Sequence, residues 1–521
     1  MKAKKIISKV AAAAVAGTML LSCVYAASPD VKSAGISSTV SGMQTNGGRV
    51  LSNKTTTSTS KKPKYVFLFI GDGMSYPQFQ AASDYLGAVA DTDNDDILDG
   101  NKALTFMNFP VAGSAVTYDS TSFCPDSAST ATSISTGHKT YSGTINMDET
   151  MTVKYETIAE QLRDEGYDIG VVSSVNLNHA TPAAFYCHQA SRNNYYEIGE
   201  ELIASDFDYF AGGALLKPDG ADGDKESLYD RAEKAGYKVV NTQAEAEKIS
   251  DKDEKVLLIS EKLADGDSIS YENDRANGEW ALSDYVDKGI EVLSDNEKGF
   301  FMMVEGGKID WACHANDAGS AINDTIALAD AVDEAVEFAN EHPDETLILV
   351  TGDHETGGLT IGYAGTDYDT YLTNLTNQKI SYAKFDTDYV AKYKENQTSF
   401  EDMMKDVEEL FGLKMSGAED DKLVLTEYEI GLLKDAYAKT LADEKADSEN
   451  QKEYVLYGTY EPLSVTITHL LNNKSGIDFT SYSHTGLPVA VFAKGVGQNQ
   501  FGGFYDNTQI YHKLADLMDI K

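Results

Sequence analysis

Tyr65-Val66-Phe67-Leu68-Phe69-Ile70-Gly71-Asp72-Gly73-Met74 is the stretch that decides how this chain is read. Six apolar residues run without alternation, the pattern of a strand buried on both faces of a parallel sheet. The run stops at Gly-Asp-Gly. A carboxylate between glycines at the carboxyl end of such a strand lies where open α/β sheets hold ligands; taken alone, the same tripeptide is an ordinary turn. Similar apolar runs recur at 112–117, 169–175, 299–304, 346–351 and 489–493, and helical patterns at 155–165, 282–294, 321–340 and 508–518 lie among them. This alternation predicts one α/β domain, doubly wound, with a mostly parallel central sheet flanked by helices.

The rhythm breaks at about 365–480, where helical stretches at 400–412 and 426–445 come with much charge and many tyrosines. That region reads as an insertion between two core segments, either a cap or lid over the site or a surface decoration. The stretch at roughly 215–280 is acidic and rich in Gly and Asp, and reads as a second variable segment.

The 521 residues are 42% hydrophobic, enough to bury a large core, and carry a net charge of -40. Such acidity argues against nucleic acid as a bound partner, because phosphate backbones need positive patches. An anionic substrate must therefore be drawn in by something locally positive, such as metal ions. Most of the acidic residues read as solvated surface.

Lys2, Lys4, Lys5 and Lys9, followed by the apolar run 10–21, predict an export signal over 1–26. Two cleavage sites compete: Val24-Tyr25-Ala26 fits a signal peptidase, while Leu20-Leu21-Ser22-Cys23 resembles a lipobox that would leave Cys23 as a lipid-bearing N-terminus. The run is too short for a confident membrane span. The mature protein is expected outside the cytoplasm, whether extracellular, periplasmic or held at the cell surface. Residues 27–62, rich in Ser, Thr, Gly and Asn, read as a flexible tether. Cys124, Cys187 and Cys313 are too few for a disulfide framework. One bridge remains open, and small packed free thiols fit better.

Five segments put reactive side chains at strand ends or helix starts. The first is Asp72. The second is Asp126-Ser127, at the start of a helix that Gly137 would end, where a hydroxyl meets free N–H groups and the positive end of a dipole. Alone, either residue is only a helix cap. The third is Asn178-His179-Ala180-Thr181-Pro182, with Thr181 as the expected N-cap and Pro182 at the first helical position. Arg192 follows, a guanidinium able to grip two phosphate oxygens. The fourth runs from Glu305 to His314, with Asp310 and His314 four apart on one helical face, a spacing that suits one zinc. The fifth is Asp353-His354-Glu355 after the strand at 346–351, and His484 comes far downstream. Four of nine histidines (His179, His314, His354 and His484) fall in these segments beside acids, which points to metals. His138, His188, His342, His469 and His512 have no such pattern. Metals, a serine and an arginine together suggest phosphoryl transfer.

The motifs resemble the alkaline phosphatase family over about residues 63–521: GDGM at 71–74, PDSA at 125–128, HATPAA at 179–184 with Arg192, VEGGKIDWACH at 304–314, TGDHETGG at 351–358 and HTG at 484–486. The resemblance implies hydrolysis of phosphate monoesters through a phosphoserine on Ser127. It implies a first zinc on Asp310, His314 and His484, a second on Asp72, Asp353 and His354, and magnesium on Asp72, Thr181 and Glu305, with Arg192 clamping phosphate. It also implies an exported and often dimeric enzyme. Two positions vary in the family. This chain has His179 where the enterobacterial form has Asp, which could bring zinc or cobalt to the third site. It has Trp311 where that form has Lys, which is expected to alter phosphate affinity and pH optimum. Rival expectations are another hydrolase of the same superfamily, such as a phosphodiesterase or sulfatase, and a non-catalytic surface binding protein. A sulfatase needs an arginine that the Cys124-Pro125 stretch lacks.

Overall fold

β1 (Tyr65–Gly71) is buried at every position and feeds two separate cores. Tyr65, Phe67 and Phe69 point into one, Val66, Leu68 and Ile70 into the other. A period of two with both faces apolar is why the run shows no alternation in sequence. The computed structural model describes residues 61–92, 98–418, 420–444 and 449–520. The expected export signal at 1–26, Cys23 and the tether as far as residue 60 lie outside the described residues.

Nine further strands join β1: β2 (Val111–Val116), β3 (Asp168–Ser173), β4 (Tyr209–Gly212), β5 (Lys238–Val240), β6 (Val256–Ile259), β7 (Phe300–Glu305), β8 (Thr346–Gly352), β9 (Val489–Gly495) and β10 (Gly503–Asp506). Their order across the sheet is β10-β2-β9-β8-β1-β7-β3-β4-β6-β5. All neighbours run parallel except β9, which is antiparallel to both β2 and β8. The doubly wound, mostly parallel sheet is as the apolar runs predict. The segment at 215–280 is more than a variable stretch, since it supplies the edge strand β5 and its neighbour β6, too short to stand out as apolar runs.

Helices cover both faces. α1 (Tyr76–Ala90) and α4 (Ala318–Glu341) share a core with Phe67, while α2 (Ser127–Thr136) lies on the other face with Leu68; α3 (Lys308–His314) starts two residues after β7. The 365–480 region is firmly packed: Phe385, Met403, Val407, Phe411, Leu433 and Leu471 are buried in the same cluster as Phe67 and Ala321. Burying each such side chain is worth roughly 1.5–3 kcal/mol. Its helix Pro462–Ser475 also reaches the turn that follows α3. Asn472 donates to the carbonyl of Asn316 at 2.7 Å, and His469 meets the Asn316 side chain at 3.0 Å, just beyond the end of α3. Asn316 holds a left-handed backbone (φ 51), so this support fixes the turn that ends the helix.

Candidate active site

Register brings the acids together. Ile70 pairs with Glu305 across β1 and β7, Ser173 pairs with Glu305 across β3 and β7, and Gly71 pairs with Gly352 across β1 and β8. Asp72, Glu305 and Asp353 therefore emerge at one level from neighbouring strands, and all three are fully buried. Such packing of like charge is costly without a counter-ion. Burial, and after it the facing carboxylates of Asp353, Asp310 and Glu305, push the Asp72 carboxyl well above its usual range. Burial and Asp310 push Asp353 up to about 8.

α2 begins at Ser127, with Asp126 as the N-cap accepting from the Ser129 amide at 3.1 Å, and ends at Gly137 (φ 75). The Ser127 Oγ sits 3.2 Å from His354 Nε2 and 3.5 Å from Asp72 Oδ1. Thr130, one turn into the helix, donates to Asp353 at 3.0 Å.

Three groups of side chains could hold metal ions: Asp310, His314 and His484; Asp72, Asp353 and His354; and Asp72, His179 and Glu305, each with ligand atoms within 4.8 Å of one another. Thr181 joins the last, its hydroxyl donating to Asp72 at 3.2 Å. In the first group, His314 donates from Nδ1 to the Tyr482 carbonyl at 2.6 Å, and His484 from Nδ1 to the Pro125 carbonyl at 2.5 Å. Both Nε2 atoms are thereby turned inward, 3.1 Å apart, beside Asp310. Only a shared proton or a cation can lie between them, and the carboxylate favours the cation. Burial opposes ionisation of Asp310, but His314, His484 and His354 hold it well below the usual range. Burial and the stacked ring of His484 depress His354 far below an ordinary imidazole. In the third group, His179 Nδ1 and Glu305 Oε1 are buried with no hydrogen-bond partner, as expected of atoms that await an ion.

Arg192 lies in the loop past the short helix Ala180–Ala183. One arm donates to Asp126 at 2.9 Å and the other meets His179 Nε2 at 3.0 Å. The sequence reading of that helix needs one correction. His179 occupies the N-cap position and Thr181 lies inside the helix, because the chain turns one residue pair earlier than the Thr-Pro signal suggests. The half-buried Trp311 stands edge-on to His179 with centroids 5.9 Å apart, and the buried Lys308, paired with Asp265 at 2.7 Å, lies 4.9 Å from the indole.

Several supporting residues were given no role from sequence. Thr356 donates to Asp310 and meets His354 Nδ1 at 3.2 Å; Ser173 donates to Glu305; the buried Glu355 accepts from Gln78 at 2.7 Å and from Thr485. Thr356 and Glu355 sit inside the quoted TGDHETGG motif, the one signal that could have found them. The five other histidines stay out of the three groups: His138 stacks on Tyr155 at 4.1 Å, and burial brings His469 down to about 4. The three cysteines are free; Cys187 and Cys313 are packed as expected, but Cys124 is exposed, because it lies on the loop that leads into Pro125.

Fold and site together define the class, a metal-dependent hydrolase built on an α/β sheet. The alkaline phosphatase family model matches residues 63–520. Alkaline phosphatase 4 of Bacillus subtilis is 30% identical over 454 residues, covering 85% of this chain and 86% of that protein. A membrane-bound alkaline phosphatase of Bombyx mori is 27% identical, covering 87% and 79%. The crystal structure of a cold-active alkaline phosphatase from a psychrophilic Shewanella species superposes with a TM-score of 0.71 at 28% identity, covering 87% of this chain and 99% of that one. The chain belongs to the alkaline phosphatase family and is a phosphomonoesterase. No helix among the described residues is long and apolar enough to cross a membrane.

Proposed function

We propose that this enzyme cleaves phosphate monoesters through a phosphoserine on Ser127, with two zinc ions and a third ion, magnesium or in its place zinc or cobalt. The observation that carries the reading is the convergence of three metal-competent groups on one buried serine at the first position of a helix. Asp310, His314 and His484 would hold the first zinc, Asp72, Asp353 and His354 the second. Asp72, Thr181 and Glu305 would hold the third ion, with His179 beside them. When bound, these ions supply Lewis acidity that favours loss of the serine proton, ionises water and offsets charge on the leaving oxygen.

The chain's own groups do the rest. The Ser127 Oγ attacks phosphorus, the ester P–O bond breaks and the alcohol departs. Water then attacks the phosphoserine, the P–Oγ bond breaks and inorganic phosphate is freed. The α2 N-terminus and Arg192 grip the equatorial oxygens through both steps. Asp126 anchors one arm of Arg192, so the clamp arrives oriented.

Small monoesters are the substrates of this reading, and nucleic acid is not a bound partner. The lysine-led N-terminus supports export, with lipid on Cys23 as one mode of anchoring; mass spectrometry of the mature N-terminus separates that from a chain starting at Ala27. The exposed Tyr118 and Phe123, 6.4 Å apart, give a homodimer an apolar surface to cover. Hydrolysis of p-nitrophenyl phosphate and its bis-ester, before and after chelation and with zinc and magnesium restored separately, tests the activity. Monoester cleavage that dies on chelation, returns with zinc and is abolished by Ser127→Ala is expected. Activity indifferent to chelation would sink the mechanism.

A further inference from the structure

A cavity of about 190 Å³ opens at the carboxyl ends of β5 and β6, and the chemistry at Ser127 makes no use of it. It shares a sheet edge with Asp72 but lies four strands along, since β7, β3 and β4 separate β6 from β1. At about 4.8 Å per strand that is roughly 19 Å, too far for one small monoester to fill both sites. Carboxyl ends of such sheets are where ligands are held. The buried Ala246 and Leu258 give the cavity apolar lining, and the half-buried Trp280 gives it an aromatic wall. Tyr285 braces that indole edge-on, with centroids 5.3 Å apart. A tight turn leads into Trp280: the Glu279 amide donates to the Ala276 carbonyl at 3.0 Å, with Gly278 at φ 83 between them. Arg275 donates to the Glu279 carbonyl at 3.0 Å and fixes the turn from behind.

The polar lining is set in place before any ligand arrives. The Glu261 carboxylate accepts from the Gln243 amide at 2.9 Å, and the Glu279 carboxylate from the Ala276 amide at 3.1 Å. Both keep lone pairs for a ligand, and binding to groups already oriented costs little ordering. The lining selects by charge. Two carboxylates with no arginine beside them repel phosphates and other anions, and Lys262 in the same lining repels a cation. The volume lies below the roughly 300 Å³ at which drug-sized pockets begin, so it admits one ring. What fits is a neutral ring, apolar on its face and rich in donors around its edge. A pyranose is such a ring: its C–H face packs on the negative face of an indole, and its neighbouring hydroxyls donate in pairs to a carboxylate. A nucleobase stacks as well but has few donors to set against four carboxylate oxygens. We propose that this cavity binds one neutral pyranose unit of a glycan, as a site separate from the catalytic centre. It holds the enzyme on a sugar chain while Ser127 works further along the same edge.

The chain has two tryptophans, Trp280 and Trp311, so the intact enzyme labelled with 5-fluorotryptophan gives two resonances, assigned by Trp280→Phe. The probes are methyl β-glucoside, methyl β-galactoside and methyl N-acetyl-β-glucosaminide. At least one is expected to move the Trp280 signal saturably, with a Kd on the order of 1 mM, and to leave the Trp311 signal in place. Saturation-transfer spectra of that glycoside should lose their signal with Trp280→Ala. Glu261→Gln should weaken binding about tenfold, the worth of one hydrogen bond to a charged group. Hydrolysis of p-nitrophenyl phosphate should be unchanged in both variants. Should Trp280→Ala fail to fold, Glu261→Gln and Glu279→Gln carry the test. A Trp280 signal that none of the three glycosides moves, up to their solubility, overturns the proposal. So does a signal that answers equally to choline, glucuronate or adenosine, and so does glycoside binding that survives these substitutions undiminished.

Discussion

The group of Asp310, His314 and His484 and the group of Asp72, His179 and Glu305 look alike in sequence, a mixture of acids and imidazoles at one sheet edge. Their hydrogen bonds make them opposites. In the first, backbone carbonyls of Tyr482 and Pro125 take the outer nitrogen of each histidine and leave both inner nitrogens aimed at a common point. In the other, the outer nitrogen of His179 is engaged by the Arg192 guanidinium, and the inner one is buried without a hydrogen-bond partner. The first turns both its imidazoles toward one point; the second has its imidazole tied to the arginine beside it. What a histidine's far nitrogen touches decides whether it is a committed ligand.

The largest effect should come from breaking the committed group. His484→Ala removes one of its two aimed nitrogens, and kcat/KM is expected to fall by at least about 10³-fold with loss of one zinc per chain. Retention of full zinc content would show that the carbonyl-set geometry is not what holds the ion. Next in size is Thr356→Val, which keeps every ligand but removes the hydroxyl between Asp310 and His354. Zinc affinity is expected to drop roughly 10–100-fold, read by competition with a chelating dye. Trp311→Lys acts on the other group, next to His179. An added ammonium there should tighten inhibition by phosphate about fivefold, near 1 kcal/mol for an exposed charge pair; unchanged inhibition would place Trp311 outside the phosphate field.

The smallest expected effect concerns a histidine with no metal role. His188 lies between Glu160 and Glu201, which outweigh its burial and push it up to about 9. A pKa raised above the unfolded value of about 6.5 means that the stabilisation is fully present below that value. It is lost as pH rises through about 9. His188→Gln should therefore lower Tm by a few degrees at pH 6, with the gap to the native chain closing by pH 10. A gap that stays constant across that range would mean the ring is held for its shape.

Much of this was legible because it lives in runs and strand ends. Tyr65–Ile70 announced a doubly buried strand, and Asp72, Glu305, Asp353 and His354 end or follow such strands. The edge strand β5 and its neighbour β6 were hidden, because three or four residues carry too little apolar signal to stand out in an acidic stretch. The N-cap at His179 was missed because Thr181-Pro182 carries a strong start signal that the tertiary packing overrides. Least legible was the direction of each imidazole. Nothing in the letters says that Tyr482 and Pro125 would offer carbonyls, or that Arg192 would face His179.

The reversed direction of β9 has a consequence for how the architecture can change. A strand that runs with its neighbours delivers to the catalytic edge the residues that follow it; one that runs against them delivers those that precede it. The chain therefore leaves β8 at the catalytic edge and re-enters β9 at the same edge, and the excursion around 365–480 begins and ends there. No crossover has to be spanned, so the length of this excursion is free of any demand from the sheet. A lineage can lengthen, shorten or swap it without rethreading a strand, and each exchange remodels the approach to Ser127 while the ligand-bearing strand ends stay put. Substrate range can drift on a fixed chemistry because the socket for new material opens beside the serine.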